Sequence, residues 1–71
     1  MKIYYAVTPT NGIAAGYTRY ANEGDSSKVY DLVMELTESH EMAADASSWC
    51  ELASVGEVYD GEGFRIEIVE D

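Results

Sequence analysis

Apolar positions follow three different rhythms along this chain, and each rhythm predicts a different element. Lys2 to Thr8 (KIYYAVT) is dense in β-branched and aromatic residues and stops at Pro9, which is the composition of a strand. Ile3, Tyr5 and Val7 share one face, and Tyr4 and Ala6 share the other. Neither face is strongly polar, so the expectation is a central strand covered on both sides. Asn11-Gly12 then marks a turn. Ile13 to Tyr20, interrupted by Gly16, fits either a second strand or an ordered loop.

The rhythm changes after Asp25, Ser26 and Ser27, whose short polar side chains suit a helix start. Val29, Leu32, Val33 and Leu36 recur at helical spacing, with Asp31, Glu35 and Glu38 on the opposite side. A second helical pattern runs through Met42, Ala46, Trp49, Cys50 and Ala53. At about 100° per residue, the two stripes centre about 110° apart, so one straight helix would bury two different faces. The phase shift predicts a break around residues 37–41, with Ser39 capping the second helix and Gly56 stopping it.

The last segment alternates strictly. Phe64, Ile66 and Ile68 interleave with Arg65, Glu67 and Val69, the period of two of a strand with one face on a core. Asp60-Gly61-Glu62-Gly63 reads as a hairpin turn, with residues 57–59 as a short partner strand. The order β–(β)–α–α–β predicts a single α+β domain over residues 1–71. Its sheet is small and mostly antiparallel, with two to four strands and the first and last paired, and two consecutive helices pack on one face.

Composition adds limits. Six tyrosines, one Trp and one Phe within a 46% hydrophobic chain mark a folding sequence rather than a disordered one. The chain reads as a complete small gene product. One cysteine, Cys50, gives no disulfide framework, which points to a reducing, cytoplasmic setting. No run approaches the ~18 apolar residues of a membrane span, so no membrane partner is expected.

Charge changes the picture most. Residues 1–22 hold no acid and two bases, Lys2 and Arg19, for +2. Residues 23–71 hold all 14 acids against Lys28 and Arg65, for −12, which leaves the chain at −10. Four bases do not supply the ~6–10 phosphate contacts of a nucleic-acid binder, and the acidic field repels a phosphate backbone.

Catalytic motifs are lacking. Cys50 and His40, the only Cys and His, sit ten residues apart near the ends of the second helix, about 15 Å along its axis. That is too far for a nucleophile and its base, so Cys50 reads as a small buried hydrophobe and His40 as a turn residue. Asp60-Gly-Glu62-Gly lacks the spacing of a calcium loop, and Gly12-Ile-Ala-Ala-Gly16 lacks the ending of a phosphate-binding loop. No enzyme activity, cofactor or metal is expected.

Two surfaces stay in contention. Asp31, Glu35, Glu38, Glu41 and Asp45 form an acidic helical array, joined in this reading by Glu57, Asp60 and Glu62. Like charges one turn apart destabilise a helix by about 0.2–0.5 kcal/mol per pair, and few bases are interspersed to offset this. The competing reading of those acids is an ordinary solvated face. The second surface is the acid-free front, where Tyr17, Arg19 and Tyr20 join Tyr4 and Tyr5, since Tyr and Arg favour interfaces.

In size, acidity and lack of catalytic motifs, the chain resembles the small anti-CRISPR and anti-restriction inhibitors of phages and mobile elements. The resemblance is compositional and transfers no residue. It implies a non-catalytic nucleic-acid mimic that fills the basic groove of a nucleic-acid-handling protein. The alternative is a protein-binding regulator that works through the Tyr-rich surface or a strand edge, without mimicry.

A charge of −10 on so short a chain opposes compaction through self-repulsion. Added salt should therefore raise the melting temperature by screening that repulsion. A flat or falling melting temperature across moderate salt would show the charges to be compensated already.

Overall fold

The computed structural model describes residues 2–71. Its element order is β1 (Ile3–Pro9), β2 (Arg19–Asn22), α1 (Ser26–Thr37), α2 (His40–Leu52), β3 (Val58–Asp60) and β4 (Phe64–Glu70). The strands form one open sheet in the order β2-β1-β4-β3, and every neighbouring pair is antiparallel. The first and last strands lie side by side at its centre, and both helices cover one face.

Register explains the core. Tyr5 lies opposite Ile68 and Ala21, Val7 opposite Ile66, and Pro9 opposite Phe64, so these apolar side chains project from the same face. Val29, Leu32 and Val33 of α1 and Ala43, Ala46 and Cys50 of α2 complete the buried cluster. Ala43 belongs to this stripe although the helical pattern of larger residues omits it. Leu36, at the end of the α1 stripe, remains 38% exposed. Among the described residues, no polar or charged residue is buried.

Capping side chains set the helix boundaries. Asp25 accepts from the Lys28 backbone N–H at α1, and Ser39 accepts from the Met42 N–H at α2. Each satisfies a donor that has no partner within the helix. The break between the helices falls at Glu38 and Ser39, inside the range where the two stripes change phase. Glu38 adopts the left-handed conformation (φ 55°, ψ 26°), and its N–H donates to the Met34 carbonyl.

Two expectations need correction, and one open stretch is resolved. β1 is central, but only one of its faces is covered, because both helices pack on the same side. Tyr4, Ala6 and Thr8 face the bare side, where small size and cross-strand neighbours shield Ala6 without any covering layer. The ambiguous stretch from Ile13 to Tyr20 divides: residues 13–16 form a turn, and the strand begins only at Arg19. Gly56 does not stop α2, which ends at Leu52 because Ala53 turns to extended backbone (φ −83°, ψ 153°). Gly56 instead takes φ 93° in the approach to β3, where its N–H bonds the Ile68 carbonyl.

The β3–β4 hairpin carries a steric requirement at Gly61. A Cβ there would stand 2.3 Å from Cζ of Phe64, whose buried ring stacks on Tyr59 with centroids 5.9 Å apart. Gly61→Ala should therefore cost about 1–3 kcal/mol by overpacking, measured by urea unfolding. A variant as stable as the parent would show that the Phe64 ring moves aside freely.

Candidate functional site

The two surfaces that compete in the sequence separate only in part: the helical acids lie on the covered side of the sheet, and Tyr4 and Tyr20 on the bare side. On the helical side, the exposed acids of α1 and α2 point away from the sheet because the buried stripe of each helix fixes the rotation of the rest. Asp31, Glu35, Glu38, Glu41 and Asp45 all belong to this layer, and Glu51, which sequence reasoning missed, joins them. Counted from α1 through α2 these are six carboxylates against Lys28, a formal charge of −5. The bare sheet face instead carries Asp60, Glu67 and Asp71 against Lys2 and Arg65, a formal charge of −1.

The acidic layer reaches from one sheet edge to the other. Glu35 lies beside β2, where Arg19 donates to its carboxylate at 2.7 Å. Asp45 lies beside β3, close enough for its charge to help raise the pKa of Tyr59, a shift caused first by burial of that hydroxyl. Three strand spacings, roughly 14 Å, separate these edges. The Arg19–Glu35 bridge is the only ion pair among the described residues, and both side chains are largely exposed. Thirteen of the 14 acids thus have no ion-pair partner there.

Three other expected members of the array lie elsewhere. The Glu57 carboxylate accepts from the Ser54 backbone N–H at 3.0 Å and closes a local turn. Asp60 pairs with Arg65 in the β3–β4 register and so projects from the bare face, across the sheet from the helical acids. Glu62 is at the hairpin tip, exposed.

Several acids are placed against the stability of their own helix. Neither helix has a basic residue in its last turn, and α1 ends with Glu35 and Glu38 near its negative pole. Glu38 also holds the left-handed conformation, where a non-glycine side chain costs about 1–2 kcal/mol. Glycine is the usual residue at such a helix end. Position 38 therefore carries a carboxylate that neither the helix dipole nor the backbone favours.

The tyrosines divide by face. Tyr5 is on the covered side, and its hydroxyl accepts from the Gly24 N–H at 3.1 Å, which secures the turn before α1. Tyr20 is 56% exposed on the bare side and meets Tyr4 edge-on, with ring centroids 6.3 Å apart. Tyr17 is 71% exposed in the β1–β2 loop, near the fully exposed Ile13. Arg19, expected to work with Tyr17 and Tyr20, turns instead to the helical side and binds Glu35. A shallow cleft of about 380 Å³ opens between Tyr4, Tyr20, Val69, Glu70 and Asp71. Its composition was hidden in the sequence because it depends on which strands are neighbours.

Cys50 and His40 are separated chemically as well as along the helix. Burial, then the charge of Glu51, pushes the Cys50 thiol up to about 12, so it stays neutral and is no nucleophile at neutral pH. The His40 ring hydrogen-bonds the Tyr30 hydroxyl through Nδ1 at 2.6 Å, at the exposed corner between the helices. Among the described residues, no three His, Cys, Asp or Glu side chains gather as a metal site, and no helix is long and apolar enough to cross a membrane. Comparison with protein families, curated proteins and solved structures finds no match to this chain.

The strain at position 38 has a direct test. Glu38→Gly should stabilise the fold by about 0.5–1 kcal/mol in urea unfolding, the relief of strain less the added freedom of the unfolded chain. Glu38→Gln removes the charge but keeps the strain, and should gain less. A Gln variant as stable as the Gly variant would show that the backbone strain is no larger than the freedom glycine adds to the unfolded chain.

Proposed function

We propose that this protein is a small, non-catalytic acidic inhibitor that occupies the basic groove of a nucleic-acid-handling protein, its carboxylates standing where backbone phosphates would bind. The observation that carries this reading is the helical layer itself. Its six acids are exposed on the helical side of the sheet, and only Glu35 is bridged among the described residues. Ordinary soluble surfaces intersperse both signs, which limits repulsion between neighbours. Here the carboxylates of Glu35 and Glu38 oppose the dipole of their own helix, and Glu38 adds backbone strain. Residues that work against local stability are a physical pointer to function.

Size and rigidity support the same reading. The molecule is 32 Å long, close to the ~34 Å of one turn of B-form duplex. Both helices are anchored to the sheet by a continuous apolar cluster, so the backbone positions that bear the carboxylates are set before any partner arrives. Preorganisation of that kind lowers the entropy lost on binding.

A second reading rests on different residues. Tyr17, Tyr20 and Ile13 are exposed. The edge strand β2 itself carries no acid, with its neighbour Glu35 already bridged by Arg19 and Glu23 just beyond its end, whereas β3 contains Asp60 and is flanked by Glu57 and Glu62. Charge beside an edge strand deters strand pairing, so β2 is the edge open to a partner strand. On this reading the protein is a regulatory module that docks by its Tyr-rich surface or by β2.

One experiment separates the two. Nucleic-acid-handling proteins from a nuclease-treated lysate are captured on the immobilised protein, and the identified partner is then titrated at low and high salt. The inhibitor reading predicts release by salt and by competing duplex DNA. It also predicts that the triple variant Asp31→Lys, Glu38→Lys, Glu41→Lys binds at least about tenfold more weakly, because charge complementarity guides the encounter. Retention through both treatments, with loss on Tyr17→Ala and Tyr20→Ala, would overturn it in favour of the second reading.

A further inference from the structure

The bare face of the sheet holds a feature that the acidic helical layer does not explain. Tyr4 and Tyr20 lie on adjacent strands, at the diagonal positions of the β1–β2 register, with their ring planes inclined at 74°. They form two walls of the shallow cleft whose remaining lining is Val69, Glu70 and Asp71. Of the two acids, only Asp71 is in phase with Val69 and projects from this face, since Glu70 pairs with Ile3 and shares the helical side with Ile66 and Ile68. Asp71 has no ion-pair partner among the described residues. Asp71 is held at the strand end by its N–H, which donates to the Lys2 carbonyl at 2.8 Å. Among the described residues, no covering element crosses this side of the sheet.

Aromatic faces with carboxylates beside them are chemically suited to one kind of group. The face of a tyrosine ring attracts a cation, and a neighbouring carboxylate accepts its N–H donors. A guanidinium does both at once, because it is planar enough to stack on one ring while its edge reaches an acid. An ammonium lacks that flat face. The volume of about 380 Å³ is at the lower end of ligand clefts and suits a single side chain better than a large ligand.

We propose that the Tyr4–Tyr20 cleft receives an arginine side chain of a basic partner protein. This deepens the inhibitor function and rests on that reading for its partner: the helical layer supplies long-range attraction, and the cleft supplies a short-range anchor on a different face. The occupant is fixed by charge complementarity, since a protein of net charge −10 repels a second copy of itself and attracts basic surfaces. Lys2, the near cation on this face, makes no ion pair within the described structure and leaves the Asp71 carboxylate available.

The cleft is tested without any partner. The ¹⁵N-labelled protein is titrated with N-acetyl-arginine amide, and separately with N-acetyl-citrulline amide, a neutral molecule of nearly the same shape. Saturable amide shifts should concentrate at Tyr4, Tyr20, Val69, Glu70 and Asp71 with the arginine probe and be nearly absent with citrulline. Tyr20→Ala, at an exposed position that leaves the fold intact, should weaken arginine binding by about threefold through loss of the ring. Lys2→Ala should strengthen it by removing a competing charge.

Equal shifts at Asp31, Glu41 and Asp45 would reveal general screening and overturn the proposal, as would unchanged affinity in Tyr20→Ala. Failure here leaves the salt-sensitive partner binding of the helical layer to its own test. Binding of the probe in the cleft, with a captured partner indifferent to acid reversal, would instead retain the anchor and reject the inhibitor reading.

Discussion

Everything in this molecule depends on the register between β1 and β4. Seven residues of each strand pair from Ile3 with Glu70 to Pro9 with Phe64, and that alignment places Tyr5, Val7 and Pro9 beside Ile68, Ile66 and Phe64. A slip of one residue would send Arg65, Glu67 and Val69 to the helical side and empty the core of its largest side chains. The pairing is long in sequence, joining the two ends of the chain, so it also decides which residues share a surface. With the register fixed, the helices have one apolar face on which to pack, and the other face remains bare.

That single-sided packing sorts the charge. The acid-free front of the chain becomes β1 and β2, one half of the sheet, while the helices between the two central strands carry six of the acids. The result is a strongly acidic helical layer over a nearly neutral, partly aromatic sheet face. The fold does not need this arrangement: among the described residues the core contains no ion pair, and the one surface bridge, Arg19 to Glu35, is of the exposed kind worth about 0–1 kcal/mol. Glu38 shows the opposition most plainly, since its backbone conformation favours glycine and its charge opposes the helix dipole.

Local pattern made much of the fold legible. The strict alternation of Phe64, Ile66 and Ile68 identified β4, and the 110° change of stripe between Val29–Leu36 and Met42–Ala53, about a third of a turn, located the break between the helices. Ser39 was legible as a cap because its chemistry is local. β1 was read as doubly covered because Tyr4 and Ala6 look apolar in composition, yet a tyrosine can expose its hydroxyl edge and alanine needs little cover. The short β2 was blurred by Gly16 and by the turn that precedes it. Gly56 misled because an extended Ala53 ended the helix first. Pairs such as Arg19 with Glu35, or Tyr4 with Tyr20, join residues sixteen apart in sequence. Only the tertiary arrangement brings them together, so the cleft and the bridge had no signal in the chain.

Charge is segregated between the two faces, and paramagnetic relaxation reads that segregation residue by residue. Amide and side-chain protons would be compared in a cationic and a neutral nitroxide of matched size. The cationic probe should exceed the neutral one most strongly along the outward sides of α1 and α2, at Asp31, Glu38, Glu41 and Asp45, and far less at Ala6, Thr8 and Val58 on the bare sheet. A uniform ratio over both faces would contradict it, and the acidic layer would then be an ordinary solvated surface.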